Sequence, residues 1–240
     1  MSENLMIHEV CINWDAISPT SYLRHIEAIA GVERICFRSP VTLFSGENGS
    51  GKSTLLEALA IASGFNPEGG TKNYSFSTYD SHSELHDAIR LSRGPYAPRW
   101  GYFLRAESFY NVATKEEEYS RLPHAVPQHF HEKSHGESFL ALIRSNFRGR
   151  GLYFLDEPEA ALSPQRQLTL LLEIVRCVRE GAQFFIATHA PILLGIPGGE
   201  ILSFDRGPVH PCSYEDTESY QVTKMFLLNR ERLLEELLKE

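Results

Sequence analysis

Apolar residues along this chain fall into short blocks separated by glycine-rich and polar turns. Val41-Thr42-Leu43-Phe44 is a continuous apolar and β-branched run, the pattern of a strand buried on both faces. After a run of glycines, Leu55-Leu56-Glu57-Ala58-Leu59-Ala60 continues as helix, and the pattern predicts that helix from about Lys52 to Ser63. Gly64 and Asn66-Pro67 end it. Gly101 to Arg105, Leu152 to Leu155 and Gln183 to Ala187 read as further buried strands. Ser138 to Phe147 carries Phe139, Leu140, Leu142, Ile143 and Phe147 on one helical face, and Gln165 to Arg179 reads as a further helix.

Between these blocks the pattern is less regular. Residues 5 to 45 read as short strands and turns, with Ser21 to Ala30 open between helix and extended chain. Glu68 to Ser81 reads as loop, and Ser83 to Leu91 as a short helix capped by Ser83. Residues 107 to 122 are helical around Lys115 to Glu118, and Pro123 to Lys133 is a connector. Strands that alternate with helices predict an α/β fold: a mainly parallel central sheet with helices on its faces.

The glycines after the first strand carry chemistry. Gly46 to Thr54 reads Gly-Glu-Asn-Gly-Ser-Gly-Lys-Ser-Thr and fits G-x-x-x-x-G-K-[ST]. Strand, glycine loop and helix is the arrangement in which backbone N–H groups wrap an anion. The helix N-terminus adds about half a positive charge, so a polyphosphate is the expected occupant. Gly46, Gly49 and Gly51 let the backbone come close to phosphate, with Glu47, Asn48 and Ser50 supplying further backbone N–H groups. Lys52 reaches β- and γ-phosphates, the Ser53 hydroxyl holds Mg²⁺, and Thr54 completes the motif. The expected ligand is a nucleoside triphosphate with magnesium.

Two later strands end in groups that suit the same ligand. Leu152 to Leu155 runs into Asp156 and Glu157, where Asp156 is placed to hold Mg²⁺ and Glu157 to polarise a water. Gln183 to Ala187 delivers His189 at its C-terminal end. Ligands in open α/β sheets bind beyond the carboxyl ends of the strands, so His189 is expected to contact and sense the γ-phosphate. Ser134-His135-Gly136-Glu137-Ser138 precedes an amphipathic helix and offers a second anion cradle through Ser134, Gly136 and Glu137. The same residues also fit a capping box with Ser134 and Glu137. One nucleotide does not need two cradles in one subunit, so the second is expected to face a nucleotide held by a neighbouring copy.

These four stretches, with Phe-Leu-Asp-Glu-Pro-Glu-Ala-Ala-Leu-Ser-Pro and Ala-Thr-His-Ala-Pro in full, occur in the order of ABC-type ATPases. The chain resembles the soluble branch, with SMC- and RecF-like ATPase heads and small bacterial AAA-family ATPases, over roughly residues 15 to 205. The resemblance implies a P-loop, ABC-type nucleotide-binding domain over residues 1 to 240. It would have an N-terminal antiparallel β portion and a helical subdomain inserted over roughly 65 to 148. It also implies ATP and Mg²⁺ as ligands, catalytic roles for Glu157, His189 and Lys52, and a head-to-tail homodimer that closes around two ATP. Ser134 and Gly136 would touch the partner's γ-phosphate, and Ala160 to Ser163 would cross the seam.

Two departures from the transporter pattern matter. The Leu-Ser-Gly-Gly-Gln signature is replaced by Ser-His-Gly-Glu-Ser, and the strand that should lead to a Gln runs into Arg105-Ala106-Glu107-Ser108. Glu107 stands near the metal by that alignment, but a carboxylate is not an amide. Coupling to a membrane permease is therefore the second reading, and a non-hydrolysing ATP-dependent regulator the third.

Composition narrows the partners. The chain has 240 residues, 42% hydrophobic and 22% charged, as an ordinary globular domain has. A net charge of −8 gives no support to a nucleic-acid-coating surface, although a protein effector or a local nucleic-acid contact fits. Cys11, Cys36, Cys177 and Cys212 form no C-x-x-C pair, no apolar run spans a bilayer, and the N-terminus lacks a signal-peptide pattern. A cytoplasmic protein without membrane insertion is expected. His124, His129, His131 and His135 invite a zinc reading, yet the group lacks cysteine and reads instead as a solvated or dimer-facing loop. About 80 residues separate Thr54 from Ser134 without sustained heptads, so no SMC-like arms are expected. Only 51 residues follow His189 here, so no appended nuclease is expected. Met225 to Leu238 alternates leucines with charges and reads as a helix packed on its own domain, or as a partner-binding helix.

Overall fold

The computed structural model describes residues 5–71, 83–105 and 135–239. Two sheets are present among them. Strands β1 (Ile7–Ile12), β2 (Arg34–Cys36) and β4 (Ile89–Arg93) form an antiparallel sheet in the order β2-β1-β4. Strands β3 (Val41–Ser45), β5 (Trp100–Arg105), β6 (Gly151–Asp156), β7 (Gln183–Ala187), β8 (Glu200–Ser203) and β9 (His210–Cys212) form the central sheet. Its order is β5-β6-β7-β3-β8-β9, parallel except for β9. The helices are α1 (Lys52–Ala62), α2 (Leu85–Ala88), α3 (His135–Asn146), α4 (Pro164–Arg179), α5 (Pro191–Leu194) and α6 (Glu218–Leu237).

Period-two alternation sorts the central strands' side chains between two cores. Phe44, Phe154, Phe185 and Ala187 face α1 and the antiparallel sheet. Leu43, Tyr153, Leu155, Phe184 and Ile186 face α3, α4 and α5. Each side carries its own ring pair, Phe154 on Phe185 at 5.3 Å and Tyr153 on Phe184 at 4.7 Å. All of β3, β6 and β7 is buried, which is why those segments read as unbroken apolar runs.

Gln183 joins the two sheets. It is 1% exposed at the start of β7, an unusual place for an amide. Its Oε1 accepts from Met6 N at 2.8 Å and Ile7 N at 2.9 Å, and its Nε2 donates to Ile7 O at 2.8 Å. The side chain thereby acts as one more step of sheet ladder for β1.

Two expectations need correction. Ser83 to Leu91 is not one helix: α2 ends at Ala88, and Ile89–Arg93 pairs antiparallel with β1. Ser83 does accept from Leu85 N at 3.1 Å, but Ile-Arg-Leu-Ser-Arg alternates with period two and its partner strand decides its conformation. The C-terminal helix begins at Glu218 rather than near Met225 and kinks at Asn229 (φ −131°, ψ 28°), and none of its residues is buried, so it does not pack on its own domain as a core helix. Ser21 to Ala30 contains a 3₁₀ turn at Tyr22–His25. The expected helix within 107–122 and the connector 123–133 lie outside the described residues. No described helix is long and apolar enough to cross a membrane.

Replacing Gln183 by Leu strands two buried N–H groups and one carbonyl, each worth about 1–3 kcal/mol when unpaired. We expect Gln183→Leu to lower unfolding free energy by about 3 kcal/mol or more in denaturant titration; a loss below about 1 kcal/mol would show that the linkage is dispensable.

Candidate functional site

Parallel pairing brings three strand ends to one line. Phe44 is opposite Ala187, and Ala187 is opposite Asp156. The ladder continues one step past the strands: Glu157 N donates to Ala187 O at 2.9 Å and Thr188 N to Phe44 O at 3.1 Å. The glycine loop, Asp156-Glu157 and Thr188-His189 therefore leave the sheet side by side, as strand-end placement requires.

The loop has the backbone that the sequence demands. Gly46, Gly49 and Gly51 have φ of 153°, 82° and 101°. A Cβ on Gly46 would sit 2.9 Å from Ser50 Oγ, and one on Gly51 would sit 2.5 Å from Ile26 Cγ2. Helix α1 starts at Lys52 with no side-chain cap, so its first N–H groups stay open at the loop. Ser50 Oγ is buried with no hydrogen-bond partner among the described residues. Lys52 is 3% exposed and donates to Gly46 O and Glu47 O, both at 2.7 Å. Two of its three N–H donors are thus used. Burial pushes the Lys52 ammonium below the usual lysine range, against the upward pull of Glu157, Asp205, Asp156 and Glu159. Open helix N–H groups, an orphaned hydroxyl and a desolvated cation together fit a polyphosphate. Glu47 and Asn48 are exposed at the loop tip, and Thr54 is half-buried on α1.

Beneath the loop, Ser53 Oγ donates to Asp156 Oδ1 at 2.7 Å. A hydroxyl and a carboxylate in contact are a hard-oxygen pair of the kind that holds Mg²⁺ beside phosphates. Arg105 approaches from β5, with Nη1 on Glu57 Oε2 at 2.7 Å and Nε 3.9 Å from Asp156 Oδ2. Glu157 has φ 47° and ψ 50°, a left-handed conformation that is uncommon for a residue with a side chain and concentrates at functional sites.

Sequence reasoning missed two carboxylates. Glu159, 8% exposed in the 3₁₀ turn Pro158–Ala161, accepts through one oxygen from Thr188 Oγ1 at 2.7 Å and from His189 N at 2.9 Å. The same oxygen is 3.3 Å from His189 Nδ1, so Glu159 fixes both the backbone and the ring of an exposed histidine. Asp205, just past β8, accepts from Glu47 N at 2.9 Å and braces the loop from the other side. Its signal was present in Ile201 to Asp205, a further apolar strand that ends in a carboxylate. Glu159 gave none, because its partners are 29 and 30 residues away.

The second cradle is only partly described. Ser134 and Glu107 lie outside the described residues, as do His124, His129 and His131. Gly136 and Glu137 are in the first turn of α3, and Glu137 is exposed, 3.4 Å from Arg166 Nη2 at the start of α4. Ala160 to Ser163 leads from the 3₁₀ turn into α4, with Leu162 buried and Ala160 exposed. Among the described residues no cluster of three or more metal-ligating side chains has metal-site geometry.

Removing the Glu159 carboxylate leaves Thr188 and His189 N without their acceptor. We expect Glu159→Ala to cost about 2 kcal/mol, a fall of roughly 4–8 °C in Tm for a chain of this size, and Glu159→Gln to recover most of it. Equal melting of the two variants would contradict the bracing role.

Two family models match the chain in succession. An AAA-domain model matches residues 22–122, and a second AAA-domain model, whose description names an AbiEii toxin of a type IV toxin–antitoxin system, matches residues 122–195. No curated protein matches the chain in sequence. Among solved structures it is similar to the ADP conformation of an ATP-binding cassette of an ABC transporter. That match has 17% identity over 98% of this chain and 99% of the other, with a TM-score of 0.49. It is also similar to cbiO1 from Clostridium perfringens, part of the ABC transporter complex cbiONQ, at 16% identity over 97% and 99% with a TM-score of 0.46. The SMC head domain from Thermotoga maritima is similar at 15% identity over 87% and 100%, with a TM-score of 0.49. These likenesses carry no weight of their own; the two successive models, which together match residues 22–195, make an AAA-type domain what the chain is similar to.

Proposed function

We propose that the chain binds ATP with Mg²⁺ at Gly46 to Thr54, hydrolyses it, and does so as one half of a two-copy site. The single observation that carries this reading is the 2.7 Å bond between Ser53 and Asp156 directly below a loop with a buried lysine. In the proposal the backbone N–H groups of the loop and the open start of α1 hold the phosphates, and Lys52 offers its third donor to the β- and γ-phosphates. Ser53 and Asp156 hold Mg²⁺, which when bound neutralises charge on the β- and γ-oxygens. Glu157 accepts a proton from the attacking water as general base. His189, held by Glu159, contacts the γ-phosphate and registers its loss.

Ser134, Gly136 and Glu137 are proposed to complete the neighbouring copy's site, with Ala160 to Ser163 at the seam. Residues 1–240 act as one ATPase domain, with the segment around 65–148 as its signature subdomain. Hydrolysis then reopens the pair and drives a partner process in the cytoplasm. The toxin named by the second family model supports defence among the processes the cycle could serve, alongside DNA maintenance and control of an effector.

Steady-state turnover tests the assignment. We expect Glu157→Gln to lower kcat by about 10²- to 10⁴-fold, the range of general-base contributions, while ATP affinity stays within a few-fold. Lys52→Ala is expected to lose ATP binding itself. Turnover in Glu157→Gln at the wild-type rate would remove Glu157 from the chemistry.

A further inference from the structure

A second line of residues crosses the amino-terminal end of the central sheet. Ahead of β5, β6 and β7, Arg99 N donates to Arg150 O at 3.0 Å, and Arg150 N donates to Glu180 O at 3.1 Å. Beside this line opens a cavity of about 560 Å³, walled by Arg99, Arg150, Arg179 and Tyr96. Strands of five or six residues span about 16–20 Å, so the cavity and the phosphate loop stand at opposite edges of the sheet. The volume is in the range of ligand sites and exceeds what one inorganic anion fills.

The arginines of the wall are uncommitted. Arg99, Arg150 and Arg179 are exposed, and among the described residues none of their guanidinium groups has an ion pair or hydrogen bond. Glu180 is the one carboxylate among the described lining residues, and Arg176 already holds it at 3.2 Å. Arg150 also stands in left-handed backbone, at φ 55°. Glycine adopts that region freely and a residue with a side chain does so under strain, so an exposed arginine kept there points to a use for its side chain. Aromatic rings border the group. Tyr96 is 59% exposed on a loop that Pro95 and Pro98 stiffen. Trp100 is 48% exposed, with the Arg148 guanidinium 4.5 Å from its ring centre.

Charge and shape select the occupant. The chain carries −8 overall, so four exposed arginines around one engaged carboxylate are a local reversal of sign. Planar guanidinium forks match phosphate oxygens, and exposed rings stack on bases. A bilayer is flat and does not enter a concave wall. An acidic peptide would pair with the arginines and leave Tyr96 without a role. In a duplex the bases stack on one another and offer no face to a ring, whereas a single strand leaves them free.

We propose that the cavity at the amino edge of the central sheet binds single-stranded nucleic acid. Arg99, Arg150 and Arg179 hold phosphates, Tyr96 stacks on a base, and Trp100 with Arg148 continues the track. This site does not depend on ATP binding at Gly46 to Thr54: the two share strands of one sheet and no residue.

The test is fluorescence anisotropy of a labelled oligodeoxythymidine of about 16 nucleotides, the upper end of common site sizes, with the full chain and neither ATP nor Mg²⁺. Three phosphate contacts predict that the logarithm of affinity falls against that of salt concentration with a slope of about −2. Arg150→Glu/Arg179→Glu is expected to weaken binding about ten-fold or more and to make that slope shallower, and Tyr96→Ala to weaken binding about five-fold or more. All three positions are exposed, so Tm is expected to hold. Arg150→Gly separates use from structure, with lower affinity expected at a Tm that holds or rises, because glycine relieves the left-handed backbone. Lys52→Ala is expected to bind the oligonucleotide as wild type does. Loss of binding in Lys52→Ala would put the strand in the phosphate loop and overturn the proposal. No binding by wild type at low salt would also overturn it, as would wild-type affinity in Arg150→Gly or Tyr96→Ala. Equal or tighter binding of the duplex form, or displacement by polyglutamate as effective as by unlabelled strand, would assign the cavity to another partner.

Discussion

Everything at the candidate site depends on the register of β3, β6 and β7. Because Phe44, Ala187 and Asp156 stand on one line, the next residues of all three strands emerge together at the carboxyl edge. A one-residue slip of any of these strands would turn its side chains to the opposite core and carry its terminal group away from the loop. The two aromatic pairs on opposite faces of β6 and β7 oppose such a slip, since Phe154–Phe185 and Tyr153–Phe184 stack only in the observed register. Site geometry and core packing are thus the same constraint seen from two ends.

Around that line, carboxylates brace the loops on both sides. Asp205 accepts from the backbone of Glu47, and Glu159 accepts from Thr188 and His189. Neither needs to touch a ligand to matter. A desolvated Lys52 is held among Glu157, Asp205, Asp156 and Glu159, whose charges offset part of what burial takes from its ammonium. The cluster of carboxylates that a polyphosphate would have to enter is balanced by that lysine, the helix N-terminus and the metal expected at Ser53 and Asp156. On the far side of the sheet, Gln183 fastens the antiparallel strands to β7 through three buried hydrogen bonds.

What could be read in advance were features whose physical demand is local. Gly46 to Thr54 needs positive φ and an uncapped helix start within nine consecutive residues, and both are present. The buried strands β3, β6 and β7 were legible because burial on both faces leaves unbroken apolar runs. Features made by distant partners were not. Ile89–Arg93 becomes a strand because β1 is beside it, and the sequence around Ser83 speaks for a helix until that partner is known. Gln183 and Glu159 take their roles from residues 176 to 177 and 29 to 30 positions away. In α6 the amphipathic pattern was plain, but periodicity states only that a face is apolar, not what covers it.

The central claim is that one strand register assembles a magnesium–nucleotide site from the loop, Ser53 and Asp156. The most direct measurement is electron–nuclear double resonance on the wild-type chain with ATP and Mn²⁺ in place of Mg²⁺. The expected result is one Mn²⁺ per chain with resolved phosphorus couplings, both lost when Asp156 is changed to Asn. Manganese bound without phosphorus coupling, or coupling that survives in Asp156→Asn, would contradict the account.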